Sequence, residues 1–331
     1  MRRGGLLAVH AHPDDETLSN GALLATWASA GRPVTVVTCT RGEAGEVIGD
    51  ARASLEGDGP ALAAHREAEL AGALTALGVT DHLFLDQVAP SPDLPAPARG
   101  VPRRFVDSGM AWVGAGQAAA AERLPHGAFV SVDLDDAARR LADVILDRQP
   151  EVVVGYEPGG GYGHPDHVRA HAVMHRAVEL AEARGTTAPM VPGPFTVPMV
   201  LWTVLDEASL RAAWRELADA GGAGGASRPG SPSLLTAPDP AGPVPSCAVP
   251  STAVDVMVEV APVLPRVRDA LLAHATQVQA VRTHVPTAHR LGSYALSNGV
   301  LAPLLRHETY RSAPGGPGRT VVWPEGVTQV A

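Results

Sequence analysis

Short apolar runs alternate with longer stretches of helical periodicity through the first half of the chain. The pattern predicts a strand at 5–9, a helix at 18–30 capped by Thr17 or Ser19, and a strand at 34–39. A helix at 62–77 stopped by Gly78 and a strand at 82–85 follow. Residues 86–130 interrupt the alternation with Pro, Gly and scattered charge; a loop this long in a compact domain is functional or disordered, and 90–102 reads as floppy. The alternation then resumes with a helix at 134–148, a strand at 152–156, a helix at 168–184, a strand at 198–204 and a helix at 207–219. This order implies an α/β fold with a mostly parallel sheet and right-handed crossovers. Residues 220–250 are mostly Gly, Ala, Pro and Ser, too poor in apolar surface to order themselves, and read as a surface loop or linker. A strand at 252–259 and a helix at 262–280 suggest a smaller C-terminal subregion, and the tail after Ala313 reads as irregular. We therefore expect a catalytic core at 1–205 with an insertion at 86–130, and a subregion at 206–331 packed over the active-site rim.

With 331 residues, 45% of them hydrophobic, the chain is long enough for one large core. It contains no lysine, and its net charge of −9 gives no reason to expect a nucleic-acid partner. The two cysteines, Cys39 and Cys247, lack metal-ligand spacing; Cys39 ends an apolar strand and reads as a buried thiol. The N-terminus enters the first strand without a cleavable-signal pattern, and no apolar run approaches the roughly 18 residues of a membrane span. The expectation is a cytoplasmic protein without a membrane partner. Its oligomeric state is not readable.

Two polar clusters carry the chemistry. His10, His12, Asp14 and Asp15 arrive together at the end of the first strand, with Pro13 stiffening the turn. The strand at 152–156 runs into Glu157-Pro-Gly-Gly-Gly-Tyr-Gly-His-Pro-Asp-His167. Both pair histidine with aspartate across a proline at a strand's carboxyl end, where open α/β sheets bind ligands. Side by side they would supply nitrogen and carboxylate ligands suited to zinc, with a position left open for water.

His12-Pro-Asp-Asp15 together with Gly163-His-Pro-Asp-His167 resembles the LmbE-like (PIG-L) family of zinc-dependent N-deacetylases. The likeness extends through Asp14–Gly21, Val37–Thr40, Gly45–Asp50, Val106–Met110 and Ala273–Gln277, over most of the chain. It implies a Rossmann-like sheet and a small-molecule amino-sugar or inositol substrate. The stretches are most similar to the branch that deacetylates N-acetylglucosaminyl-inositol in mycothiol biosynthesis. The sister branch, amidases of mycothiol S-conjugates, carries a lysine shortly after Asp-Asp-Glu, where this chain has Leu18-Ser-Asn20. A deacetylase of another N-acetylglucosamine-type sugar, or a non-catalytic sugar-binding relative, are the remaining readings; the latter should have lost a ligand or the base, and none is missing.

By resemblance His12, Asp15 and His167 are the ligands of one zinc ion per subunit, ferrous iron being equally compatible with two histidines and a carboxylate. Asp14 matches the general base, against a plain helix-terminal carboxylate. His164 matches a protonated acid near the leaving amine, which Asp166 would hold and keep cationic. Tyr162 would reach the oxyanion, against a turn tyrosine packed on proline. Gly159, Gly160, Gly161 and Gly163 would allow the tight turn. On the substrate side stand Arg66, Asp107, Glu46, Ser19 and Met110, with Asn20 near them; Arg66 has an alternative as an ion-pair partner within its helix. His10 reads as a core or supporting residue. His171 and His175 are spaced for a helical metal pair but lack a third ligand, and with His65, His274 and His284 read as packed or surface residues. Ala273-His-Ala-Thr-Gln277 has no chemistry assignable from its residues.

Overall fold

The structure is a computed structural model that describes residues 4–89, 104–114, 117–120, 123–185, 195–222, 235–283, 286–314 and 320–330. The expectation for 90–102, residues 223–234 of the low-complexity stretch and His284 lie outside these residues, whereas 235–250 are described and include a short strand, so that part of the expected linker is ordered. In chain order, β1 (Leu6–His10) leads into α1 (Asp15–Ser29), β2 (Val34–Thr38), the short α2 (Arg52–Leu55), α3 (Gly59–Leu77) and β3 (Asp81–Phe84). A hairpin of β4 (Met110–Gly114) and β5 (Gln117–Ala120) follows, then α4 (Leu134–Arg148), β6 (Val152–Tyr156) and the single turn α5 (Gly160–Gly163). After α6 (Pro165–Gly185), β7 (Met199–Asp206) and α7 (Glu207–Gly222) come β8 (Ala248–Val249), β9 (Val256–Glu259) and α8 (Leu264–Ala273). The chain closes with β10 (Gln279–Arg282), β11 (Arg290–Ala295), β12 (Leu301–Leu305), β13 (His307–Ser312) and β14 (Val327–Gln329).

The main sheet runs β14-β9-β13-β7-β6-β1-β2-β3, with β8 beside β7. Strands β3, β2, β1, β6 and β7 are parallel, while β13, β9 and β14 add an antiparallel flank. The central strands β1, β2 and β6 are buried along their whole length, and they read as mostly apolar runs. Leu6, Ala8, Val36, Val152 and Val154 face one core, with α1, α3 and α8; Leu7, Val9, Val37 and Val153 face the other, with α4 and α6. Asp58 caps α3 by accepting the Ala61 N–H at 3.0 Å, and Gly78 ends it at φ 84°. Because β9, β13 and β14 extend the sheet and α8 packs into the first core, one core crosses the expected 205/206 boundary.

The structure departs from the elements expected from local periodicity in five places. Helix α1 begins at Asp15, three residues before the predicted start: the Asp14 carbonyl accepts the Thr17 and Leu18 N–H groups, and the Thr17 hydroxyl bonds Glu16, so neither Thr17 nor Ser19 caps it. Helix α6 begins at Pro165, proline fitting a first helical position, and so takes Asp166 and His167 into its first turn. The helix expected at 262–280 stops at Ala273, because residues 274–277 turn to bond α3 and the first ligand loop, and β10 follows. The strand expected at 252–259 shrinks to β9 after a 3₁₀ turn at Ser251–Ala253, and the supposedly irregular tail contributes β14.

Glu308 is a half-buried acid beside the first core. Its carboxyl group accepts the Ala22 and Leu23 N–H groups of α1, at 2.6 and 2.9 Å, and the Tyr310 hydroxyl at 2.7 Å. Burial nevertheless pushes it up to about 7. The folded protein thus holds a proton that the unfolded chain releases, and this contribution, at most about 3 kcal/mol, is lost as pH rises toward 7 and above. Thermal unfolding of Glu308→Gln beside the parent should therefore shift in the variant's favour between pH 5 and pH 8. A pH-independent difference would contradict the account.

Candidate metal centre and active site

The path of the sheet reverses between β1 and β6: β2 and β3 continue on one side, β7 on the other. A crevice at the carboxyl ends of strands at such a point is the usual ligand site of an open α/β sheet. Residues 11–15 leave β1 there, and residues 157–167 leave β6 beside them. Gly160 lets the second loop close up: at φ 68° a β-carbon would stand 2.8 Å from the Val168 nitrogen and 2.9 Å from the His167 β-carbon.

Three atoms form an equilateral triangle. His12 Nδ1, Asp15 Oδ2 and His167 Nε2 lie 3.3 Å from one another along every edge. Ligands of a tetrahedral ion with bonds of about 2.0–2.1 Å stand about 3.3–3.4 Å apart, so the triangle has the size of one face of such an ion's coordination shell. The other ring nitrogens support this reading. His12 Nε2 faces Asp166 Oδ2 at 3.3 Å and Asp107 Oδ1 at 3.6 Å. A carboxylate only accepts, so in the neutral ring Nε2 holds the proton and Nδ1 keeps its lone pair. His167 Nδ1 likewise donates to the Gly160 carbonyl at 3.1 Å, freeing Nε2. The donor set favours a cation: burial opposes a charged His12, yet Asp107, Asp15 and Asp166 raise its pKa well above the ordinary value. Burial would raise Asp15, but His167 and His12 hold it well below the usual carboxylate range. Ligand atoms of His12, His164 and His167, and of His12, Asp107 and Asp166, also gather within 4.8 Å.

Two side chains beyond the sequence reading complete this wall. The Tyr156 hydroxyl accepts the Ala11 N–H at 2.9 Å and bonds Asp15, while its ring stacks on His167 with centroids 4.3 Å apart. Ser108 gives both its N–H and its hydroxyl to Asp166. The signals were a tyrosine closing an apolar strand and the serine of Asp-Ser-Gly-Met, neither of which reveals its partner.

Asp14 sits next to the triangle at φ 122°, ψ −31°, a conformation that side-chain-bearing residues rarely adopt. Burial and the neighbouring Asp15 push its carboxyl up to about 8. His164 packs against His12 and His167, with ring centroids at 4.6 and 4.8 Å. Its Nδ1 accepts the Asp166 N–H at 3.1 Å, which leaves the proton on Nε2. Burial and the two neighbouring histidines push its pKa down to about 2. The Asp166 carboxylate serves His12 and Ser108, and only its backbone meets His164. Asp166→Ala should accordingly weaken metal binding about 10–100-fold in a chelator competition. Unchanged affinity with lost turnover would return Asp166 to His164. Tyr162 turns its ring toward His167 at a centroid distance of 5.1 Å, and burial pushes its phenol upward, so it stays a donor.

The substrate-side expectations fare unevenly. Arg66 is buried and gives two N–H groups to the Gly42 and Glu46 carbonyls, at 2.6 and 3.0 Å, shaping the 42–46 loop; its Nε has no partner among the described residues. Asp107 accepts the Gly109 and Ala44 N–H groups and backs His12, rather than lying open to solvent. Glu46 is exposed, Ser19 and Met110 are half-buried, and Asn20 is buried against Thr203 and Tyr310. His10 is a core residue whose two ring nitrogens have no partner among the described residues. His171 and His175 are held by the Tyr156 carbonyl and the Trp202 N–H. Cys39 is fully buried. Among the described residues no helix is long and apolar enough to cross a membrane.

Residues 7–178 match the family described as PIG-L: GlcNAc-PI de-N-acetylase. The 1D-myo-inositol 2-acetamido-2-deoxy-alpha-D-glucopyranoside deacetylase of Kineococcus radiotolerans is 42% identical over 95% of this chain and 78% of its own length. The protein of the same name from Nocardia farcinica is 41% identical over 95% of this chain and 93% of its own. Among solved structures, the 4-carboxy-2-hydroxymuconate hydratase of Pseudomonas putida has a TM-score of 0.52 at 16% identity, covering 97% of this chain and all (100%) of that one, a likeness of fold alone. On the family match and the identity of these relatives over 95% of this chain, the chain belongs to the PIG-L family.

Proposed function

We propose that the protein hydrolyses the acetamide of 1D-myo-inositol 2-acetamido-2-deoxy-alpha-D-glucopyranoside, releasing acetate and the free amine, with one zinc ion held by His12, Asp15 and His167. The observation that carries this reading is the 3.3 Å triangle with the Asp14 carboxyl beside it. Relatives that share the name of that deacetylase supply the substrate. Bound there, zinc would supply Lewis acidity, making water easier to deprotonate and the acetamide carbonyl more electrophilic.

The chain's own groups do the rest. Asp14 takes the proton from the attacking water, and the water oxygen bonds the acetamide carbon. The carbonyl oxygen gains negative charge, which the Tyr162 hydroxyl and the His164 Nε2–H stabilise as hydrogen-bond donors. The C–N bond then breaks, and the nitrogen departs with the proton that Asp14 collected, because an unprotonated amide anion is too poor a leaving group. The test is kcat/KM of the zinc-loaded protein on the inositol conjugate, plain N-acetylglucosamine and a mycothiol S-conjugate. Preference for the inositol conjugate by at least about tenfold supports the proposal. Preference for the S-conjugate makes the protein a detoxification amidase.

A further inference from the structure

Asp14's strained backbone raises the question of what holds it. We propose that Gln277 and His274, from the turn after α8, are positioning residues that lock the Pro13–Asp14 peptide and so aim the Asp14 carboxylate. This rests on the reading of Asp14 as the base. The peptide is held at both of its polar ends. Gln277 Nε2 donates to the Pro13 carbonyl at 2.9 Å. The Asp14 N–H donates to Glu16 Oε2 at 3.0 Å, and Glu16 Oε1 is held in turn by His274 Nε2 at 2.8 Å. The Glu16 and His274 side chains have no exposed surface, so water does not compete for these bonds.

The turn is itself anchored elsewhere. Thr276 gives its N–H and its hydroxyl to Glu69 of α3, at 2.8 and 2.7 Å, and its carbonyl accepts the Ile48 N–H at 2.9 Å. Gln277 and Val278 close the turn on the His274 carbonyl. A rigid outside support thus fixes a peptide plane whose rotation would swing the Asp14 side chain away from the triangle. Backbone strain of this kind persists only where surrounding structure over-determines it, and two side chains on one peptide do that. Ala273-His-Ala-Thr-Gln277 thereby gains a role in the same site, from more than 250 residues away.

The test uses the zinc-loaded protein and its kinetics on the inositol conjugate. Gln277→Met keeps the volume of the side chain without its donor; His274→Leu removes the support of Glu16, and His274→Gln restores a donor near the position of Nε2. The proposal expects kcat to fall about tenfold or more in Gln277→Met and His274→Leu, with KM within about twofold and bound zinc at the parental level. His274→Gln should recover most of the loss, and Gln277→Met keeps the test alive should His274→Leu not fold. Parental kcat in Gln277→Met, a change in KM alone, or loss of zinc in step with activity would each overturn the clamp. Asp14→Asn separates the two readings: inactive Asp14→Asn beside fully active Gln277→Met defeats the clamp and leaves the base in place, whereas active Asp14→Asn defeats the base itself.

Discussion

Replacing Asp14 should lower kcat about 10²–10⁴-fold while bound metal stays at the parental level, because in the proposed mechanism the substitution removes the base and spares His12, Asp15 and His167. The choice of substitution matters. At φ 122° an alanine carries backbone strain, whereas asparagine is among the side chains that tolerate positive φ best. Asp14→Asn keeps the shape and removes the base, so it isolates chemistry, and Asp14→Ala adds the structural cost. Steady-state kinetics with metal analysis on both variants checks this. Parental turnover in Asp14→Asn would remove Asp14 from the mechanism.

His12→Ala should have the opposite signature, releasing the metal and abolishing turnover. His12 is the hub of the site: Nδ1 forms a corner of the triangle, and Nε2 holds Asp107 and Asp166. Without it the described cluster keeps three buried carboxylates and loses the imidazole that draws Asp107 down. The expected fall in zinc affinity exceeds about 100-fold, more than the loss of a supporting residue such as Asp166 costs. A chelator competition measures it directly. Parental zinc content in His12→Ala would break the ligand assignment, whatever happened to the rate.

The fold was legible where burial on both faces wrote itself into the sequence. Residues 152–156 and 134–148 were read with the boundaries the structure has, since a fully apolar strand and an Asp-capped amphipathic helix carry their own limits. Positions that depend on partners distant in sequence were not legible. The Ala-rich run 262–280 keeps helical spacing past Ala273, and only Pro13 and Glu69 explain why it turns there. That His12, Asp15 and His167 come together was expected from histidine and aspartate spacing with the family likeness, and the structure brings them within 3.3 Å of one another. Asp166 adjoins His164 in sequence, yet its carboxylate turns to His12, and Arg66 gives two N–H groups to the 42–46 loop. Spacing tells which groups share a loop, but hydrogen-bond direction is decided by what the fold brings opposite them.

Acetate and free amine released from the inositol conjugate should be measured on the same preparation as isolated, after chelation, and after zinc is restored. The account predicts equal amounts of the two products, turnover abolished by chelation, and recovery with zinc. Undiminished turnover by protein shown to be free of metal would contradict it.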